Sequence, residues 1–101
     1  MPVSADVQAA ISQRYAQLAD SITHGKRDVE KAILGPHFVD HGKLTLESFE
    51  YDALTVVVQK VVVSGGEIVV RAEYVGVHGH NGITVDRWAK KNGTWVLVTR
   101  N

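Results

Sequence analysis

The sequence contains no cysteine, which removes disulfide bridges, thiolate metal sites and a thiol nucleophile from consideration. It also lacks an excess of either charge. Its 11 Lys and Arg stand against 11 Asp and Glu, scattered along the chain, so it has no basic patch of the kind nucleic acid or an anionic lipid surface requires. Neither is expected as a partner. No apolar run approaches the roughly 18 residues of a membrane span, and the opening MPVSADVQAA has no basic stretch leading into an apolar one. The chain therefore reads as soluble and cytoplasmic. Its 101 residues allow one domain with a modest core, without repeats, linkers or low-complexity segments.

Two periodicities divide what is present. From Ser4 to Thr23, residues Val7, Ile11, Tyr15, Leu18 and Ile22 recur at spacings of four, four, three and four, the buried stripe of an amphipathic helix. Ser4 can cap its start, Asp6 suits the positive end of the helix dipole, and Gly25 suits its termination. A second, short helix is expected from about Arg27 to Leu34, burying Val29, Ala32 and Ile33 and stopped by Gly35-Pro36. Beyond it, TVVVQKVVV, EIVVRAEYVGV, GITVDRWA and TWVLVTR are rich in β-branched and aromatic residues. They are separated by turn signals at Ser64-Gly65-Gly66, HGHNG and Lys91-Asn92-Gly93, which predicts an antiparallel meander after the helices. Residues 43–54, KLTLESFEYDAL, fit a short helix or a strand equally well.

The stretch HFVDHG, residues 37–42, places two histidines and an aspartate close together. As a helix it would give the i, i+4 histidine pair of zinc motifs. Gly35-Pro36 before it and Gly42 after it leave too little length for a helix, and Phe38 and Val39 favour extended backbone. As a strand it sends His37, Val39 and His41 to one side and Phe38 and Asp40 to the other. The only other histidine pair, His78 and His80, falls in a turn, so no metal site is expected.

The same alternation turns Thr84, Asp86 and Trp88 one way and Ile83, Val85, Arg87 and Ala89 the other. In EIVVRAEYVGV it makes Ile68, Val70, Ala72 and Tyr74 an apolar face. Tyr15 from the helix and Asp40 and Asp86 from strands then converge on one interior. Each has an ordinary alternative: Tyr15 as a core tyrosine, Asp40 as a turn residue, Asp86 as a partner of Arg87 in a neighbouring chain or of solvent at an edge.

These residues resemble the cone-shaped α+β fold of nuclear transport factor 2 and, within that superfamily, the ketosteroid isomerases. QRYAQL is similar to the isomerase helix that carries the oxyanion-hole tyrosine, here Tyr15. FVDHG is similar to the stretch with the catalytic base, here Asp40. AEYVG followed by ITVDRWAKKNG resembles the paired strands bearing the protonated oxyanion-hole aspartic acid, here Asp86. The resemblance runs from about Gln13 to Val98, and DRWAKKNGTWVLV is equally similar to the SnoaL-like members of the superfamily. It implies N-terminal helices on a curved antiparallel sheet, shortened here because KLTLESFEYDAL leaves little room for the family's third helix. His41 also stands where the isomerases favour proline.

What the resemblance implies functionally is a pocket for a small hydrophobic molecule, with Phe38, Tyr74 and Trp88 among the contacts. Asp40 would remove a proton α to a ketone while Tyr15 and neutral Asp86 hydrogen-bond the enolate oxygen, without metal or organic cofactor. The alternative is a SnoaL-like module that binds a small molecule, or dimerises, without catalysis. An epoxide hydrolase reading needs an arginine between two pocket aspartates; by alternation Arg87 points away from Asp86, and Arg71 lies on the outer face. Finally, strict alternation through TVVVQKVVV puts Val57, Val61 and Val63 on one face and Val56, Val58 and Val62 on the other. Helices can cover only one of them, which predicts a two-fold homodimer packed through the sheet, with Gln59 near the interface and the pocket openings away from it; the competing reading is that residues 43–54 fold back and cover that face within one chain.

Overall fold

The computed structural model describes residues 3–41, 53–78 and 81–101. The stretch KLTLESFEYDAL, which fits helix or strand and where a third helix would fall, lies almost wholly outside these residues, as does His80.

Helix α1 spans Ala5–Thr23. The Val7 amide donates to the Ser4 hydroxyl at 3.3 Å, and Asp6 lies in the first turn, so the N-terminus is capped as expected. At the other end Gly25 takes φ 64°, the Lys26 amide donates to the Ser21 carbonyl at 2.7 Å and the Gly25 amide to Ile22 at 3.4 Å. That pair of bonds is a Schellman closure, which requires a left-handed residue and so favours glycine. Helix α2 follows at Arg27–Ile33 and buries only Ile33. Val29 and Ala32, expected inside, are exposed: two turns of helix can aim one side chain at a core already filled by α1.

The strands are β1 (Leu34–Asp40), β2 (Leu54–Ser64), β3 (Glu67–Gly76), β4 (Asn81–Lys91) and β5 (Thr94–Arg100), in the sheet order β1-β5-β4-β3-β2. From β2 to β5 the sheet is the antiparallel meander that the turn signals predict, with Gly65, Gly66, Asn92 and Gly93 at positive φ in its tight turns. Strand β1 adds to the far edge parallel to β5, which the sequence pattern does not announce. Leu54, Ile68, Val70, Ala72, Tyr74, Trp88 and Leu97 meet Ile11, Tyr15, Leu18, Ile22 and Ile33 in one core, with the helices on one face of the sheet.

Two bulges break the alternation. In β2, Val58 pairs with Ala72 and Lys60 with Arg71, leaving Gln59 as the extra residue. Parity flips there: Val56, Val58 and Val61 pack on the core, while Val57 is 45% exposed on the outer face. Val61 therefore does not share a face with Val57, contrary to strict alternation. In β5, Leu97 pairs with Trp88 and Thr99 with Arg87, leaving Val98 extra, so that Leu97 and Arg100 both turn inward. The bulge in β2 makes a direct prediction: Val61→Ala should cost about 1–2 kcal/mol more in urea unfolding than Val57→Ala. Equal costs, measured at a concentration where the chain is monomeric, would mean that the two share a face after all.

Candidate functional site

The interior has a carboxylate at its centre. Asp86 is fully buried on β4, and three hydroxyls donate to it: Tyr15 at 2.5 Å and Tyr74 at 2.6 Å to Oδ2, and Thr84 at 2.7 Å to Oδ1. Trp88 Nε1 donates to the Tyr15 hydroxyl at 3.0 Å, and the Trp88 and Tyr15 rings meet edge to face with centroids 5.0 Å apart. Strand alternation supplies Thr84, Asp86 and Trp88 from one face of β4, β3 supplies Tyr74, and the buried stripe of α1 supplies Tyr15.

Burial pushes the Asp86 pKa up; the hydroxyls of Tyr15, Tyr74 and Thr84 and the charge of Arg100 pull it back, and burial prevails. Burial and the Asp86 charge also raise Tyr15 and Tyr74 far above the ordinary phenol, so both remain donors at any working pH. Tyr15 has one proton, and here it is directed at Asp86.

Asp40 lies elsewhere in the same system. It accepts from Arg100 Nη2 at 2.5 Å, and the Arg100 guanidinium, fully buried, sits over the Tyr74 ring at 5.0 Å. In register Asp40 stands opposite Arg100 on β1 and β5, and Arg100 opposite Asp86 on β5 and β4. The three form one row, with the two aspartates two strand spacings, about 10 Å, apart. The structure thus brings Tyr15, Tyr74, Asp86 and Trp88 together, and joins Asp40 to them through Arg100. Within the chain Arg87 faces Glu67 at 3.4 Å, and Asp86, fully buried, does not reach solvent at an edge. Arg100 is the member that sequence reasoning passes over; Thr84 is read as inward-facing with Asp86 but is given no role there. Arg100 is hidden by the bulge at Val98, and the available signal is charge balance: two inward carboxylates call for a cation on the strand between them.

Open space lies to one side of this network. A cleft of about 530 Å³ runs between α1 and β2, walled by Ala16, Ala19, Leu54, Val56 and Val58, with Tyr15 at its floor. Ser12, Asp20, Thr23, His24 and Thr55 complete the lining. Phe38 is not part of it; it lines a separate hollow of about 480 Å³ with Leu34, Pro36 and Val96. Among the described residues no cluster of His, Asp or Glu is arranged to hold a metal ion, and no helix is long and apolar enough to cross a membrane.

No family model and no curated protein matches the sequence. Solved structures do match in fold. An NTF2-like protein of unknown function from Silicibacter pomeroyi superposes with a TM-score of 0.77 at 15% identity, over 98% of this chain and 96% of that one. A second, from Shewanella baltica, gives 0.71 at 13% identity over 99% and 94%. A third, from Methylobacillus flagellatus, gives 0.73 at 11% over 97% and 91%. The chain has the NTF2-like α+β fold, with its two described helices on a curved, mostly antiparallel sheet.

The displaced titration of Asp86 has a measurable sign. Folding raises this pKa, so the native state binds the proton more tightly than the unfolded chain does. The Asp86 contribution to stability is then full below the ordinary carboxylate range and is lost as pH rises through the raised value. Chemical denaturation across pH should show the stability of the wild type growing relative to Asp86→Asn as pH falls from neutral. A pH-independent difference between the two would contradict it.

Proposed function

We propose that this protein binds a small, largely apolar molecule in the cleft between α1 and β2. The observation that carries the reading is the cleft itself, about 530 Å³ with a mainly aliphatic wall and a tyrosine floor. The polar network behind Tyr15 supports a binding role over a catalytic one. The Tyr15 proton is committed to Asp86, and Asp40, the expected base, is paired with Arg100 and does not line the cleft. Thermal-shift and NMR titration against steroids, phenols and lactones tests it. Ala16 is exposed at the cleft wall, so Ala16→Trp should fill the space, abolish binding and leave the fold intact. Binding that survives this change would refute the site.

A second reading, that of an enzyme, is favoured by the contact between Tyr15 and Asp86 and by the row Asp40, Arg100, Asp86. The first suits stabilisation of an enolate oxygen, with Asp40 released from Arg100 to act as the base. The second sets an arginine between two aspartates, the arrangement that Arg87 and Arg71 do not supply, although neither aspartate lines the cleft and a substrate would have to reach them from it. Conjugated-enone absorbance with a β,γ-unsaturated ketosteroid, and diol formation from an aryl epoxide, separate the two. Turnover no greater than that of Asp40→Asn in both assays leaves the binding reading alone.

We further propose that two copies pair through the outer face of the sheet. There Val57, Ile83 and Val85 are 45%, 50% and 42% exposed, with Arg71 and Glu73 between them on β3. A two-fold axis between Arg71 and Glu73 sets each Arg71 against the partner's Glu73 and joins the valine and isoleucine patches. Light scattering should give twice the 11.1 kDa of one chain. Glu73→Arg should dissociate the pair, and adding Arg71→Glu should restore it; a monomeric wild type would end the proposal.

A further inference from the structure

The chemistry of the cleft mouth narrows the ligand class. Among the described lining residues Asp20 is the one carboxylate, and there is no Lys or Arg. Asp20 sits in the last turn of α1, where the backbone carbonyls give the helix its negative end, and that turn contains no basic residue. The surroundings of Asp20 already show what it accepts. Lys26 Nζ lies 2.9 Å from its Oδ2, and His24 Nε2 lies 3.4 Å from its Oδ1. His24 borders the cleft, whereas Lys26 borders the neighbouring groove between α1 and α2. The hydrogen bond from Lys26 holds the Asp20 carboxyl below its ordinary pKa, which keeps it anionic.

The rest of the lining fixes where the two ends of a ligand go. Ala16 and Ala19 on α1 face Leu54, Val56 and Val58 on β2, so the apolar body belongs between them. Asp20 is five residues beyond Tyr15, about 7.5 Å along the helix. That distance is spanned by a ring and a short alkyl chain.

We infer that the cleft selects a molecule with an apolar body and a cationic, hydrogen-bond-donating head that docks on Asp20, of which an arylalkyl amine is the simplest form. This rests on reading the cleft as the ligand site. An anionic head is disfavoured by the same carboxylate and helix end, and a neutral alcohol lies between the two. Asp20 is half exposed, so solvent screens the effect, and a preference of about three- to tenfold for the amine over the alcohol is expected, falling as salt is added.

Three probes of one shape test it at low salt: 3-phenylpropylamine, 3-phenylpropanol and 3-phenylpropanoate, each followed by NMR titration of the full chain. The amine should bind tightest and the carboxylate weakest. Asp20→Asn should remove the advantage of the amine without changing the alcohol, and Ala16→Trp should abolish all three. A carboxylate that binds as tightly as the amine overturns the inference while leaving the cleft as a ligand site, and so does an order unchanged in Asp20→Asn. Amine binding that survives Ala16→Trp places the cation outside the cleft and also overturns it. If none of the probes binds the wild type, the cleft reading fails and the inference fails with it.

Discussion

A fully buried carboxylate must be given donors, and Asp86 imposes that requirement on the whole chain. Left alone in the interior it would cost several kcal/mol. Instead α1 brings Tyr15, β3 brings Tyr74, β4 brings Thr84, and β5 brings the charge of Arg100. Arg100 is itself buried and needs an anion beyond Asp86, which β1 supplies as Asp40. Four of the five strands and the long helix thus meet in one polar system. An apolar core tolerates small slips of a helix over a sheet, because one hydrophobic contact resembles another. A hydroxyl 2.5 Å from a carboxylate oxygen does not, so the network specifies one placement of α1 on the sheet.

That placement leaves the cleft. With Tyr15 held to Asp86 and Trp88, the stripe Ile11, Tyr15, Leu18, Ile22 is fully used in the core. The adjoining stripe of α1, with Ser12, Ala16, Ala19 and Thr23, then looks towards β2 across short side chains. Alanines cannot reach Val56 and Val58, and space remains where larger residues would have closed it. The hydroxyl of Thr23 spans the gap at one end, accepting from the Leu54 amide at 3.0 Å. Core and cleft are two faces of one helix, fixed by the same hydrogen bonds.

The sequence made some of this legible, for identifiable reasons. Periodicity of 3.6 and of 2 depends only on backbone geometry, so the α1 stripe, the inward set Thr84, Asp86, Trp88 and the inward set Ile68 to Tyr74 could all be read before any contact was known. The Schellman end at Gly25 and the tight turns at Gly65-Gly66 and Asn92-Gly93 were legible because positive φ has few residues to choose from. A bulge has no such local mark. Gln59 and Val98 look like ordinary strand residues, yet each reverses the parity of everything beyond it, which moved Val61 to the core and Arg100 inside. The contact of Tyr15 with Asp86 could be anticipated from faces alone. The interposition of Arg100 between Asp86 and Asp40 could not, because it depends on β1 joining β5 in parallel.

The network also bears on what can happen at the cleft floor. A carbonyl oxygen arriving at Tyr15 must take its proton from a buried carboxylate that burial has already made a stronger base, and Asp86 would be left with one donor fewer. Protonation of Asp86 would relieve that loss, since the neutral acid brings its own hydrogen to share. Binding through the apolar wall asks for no such rearrangement: the wall is open, and the Tyr15, Tyr74, Thr84 and Trp88 donors behind it keep the acceptors they already have. The ground state of this interior is therefore more compatible with the proposed binding role, in which shape and the charge at the exposed end do the recognition, than with proton transfer at Tyr15. Any chemistry at Tyr15 has to begin with a proton placed on Asp86.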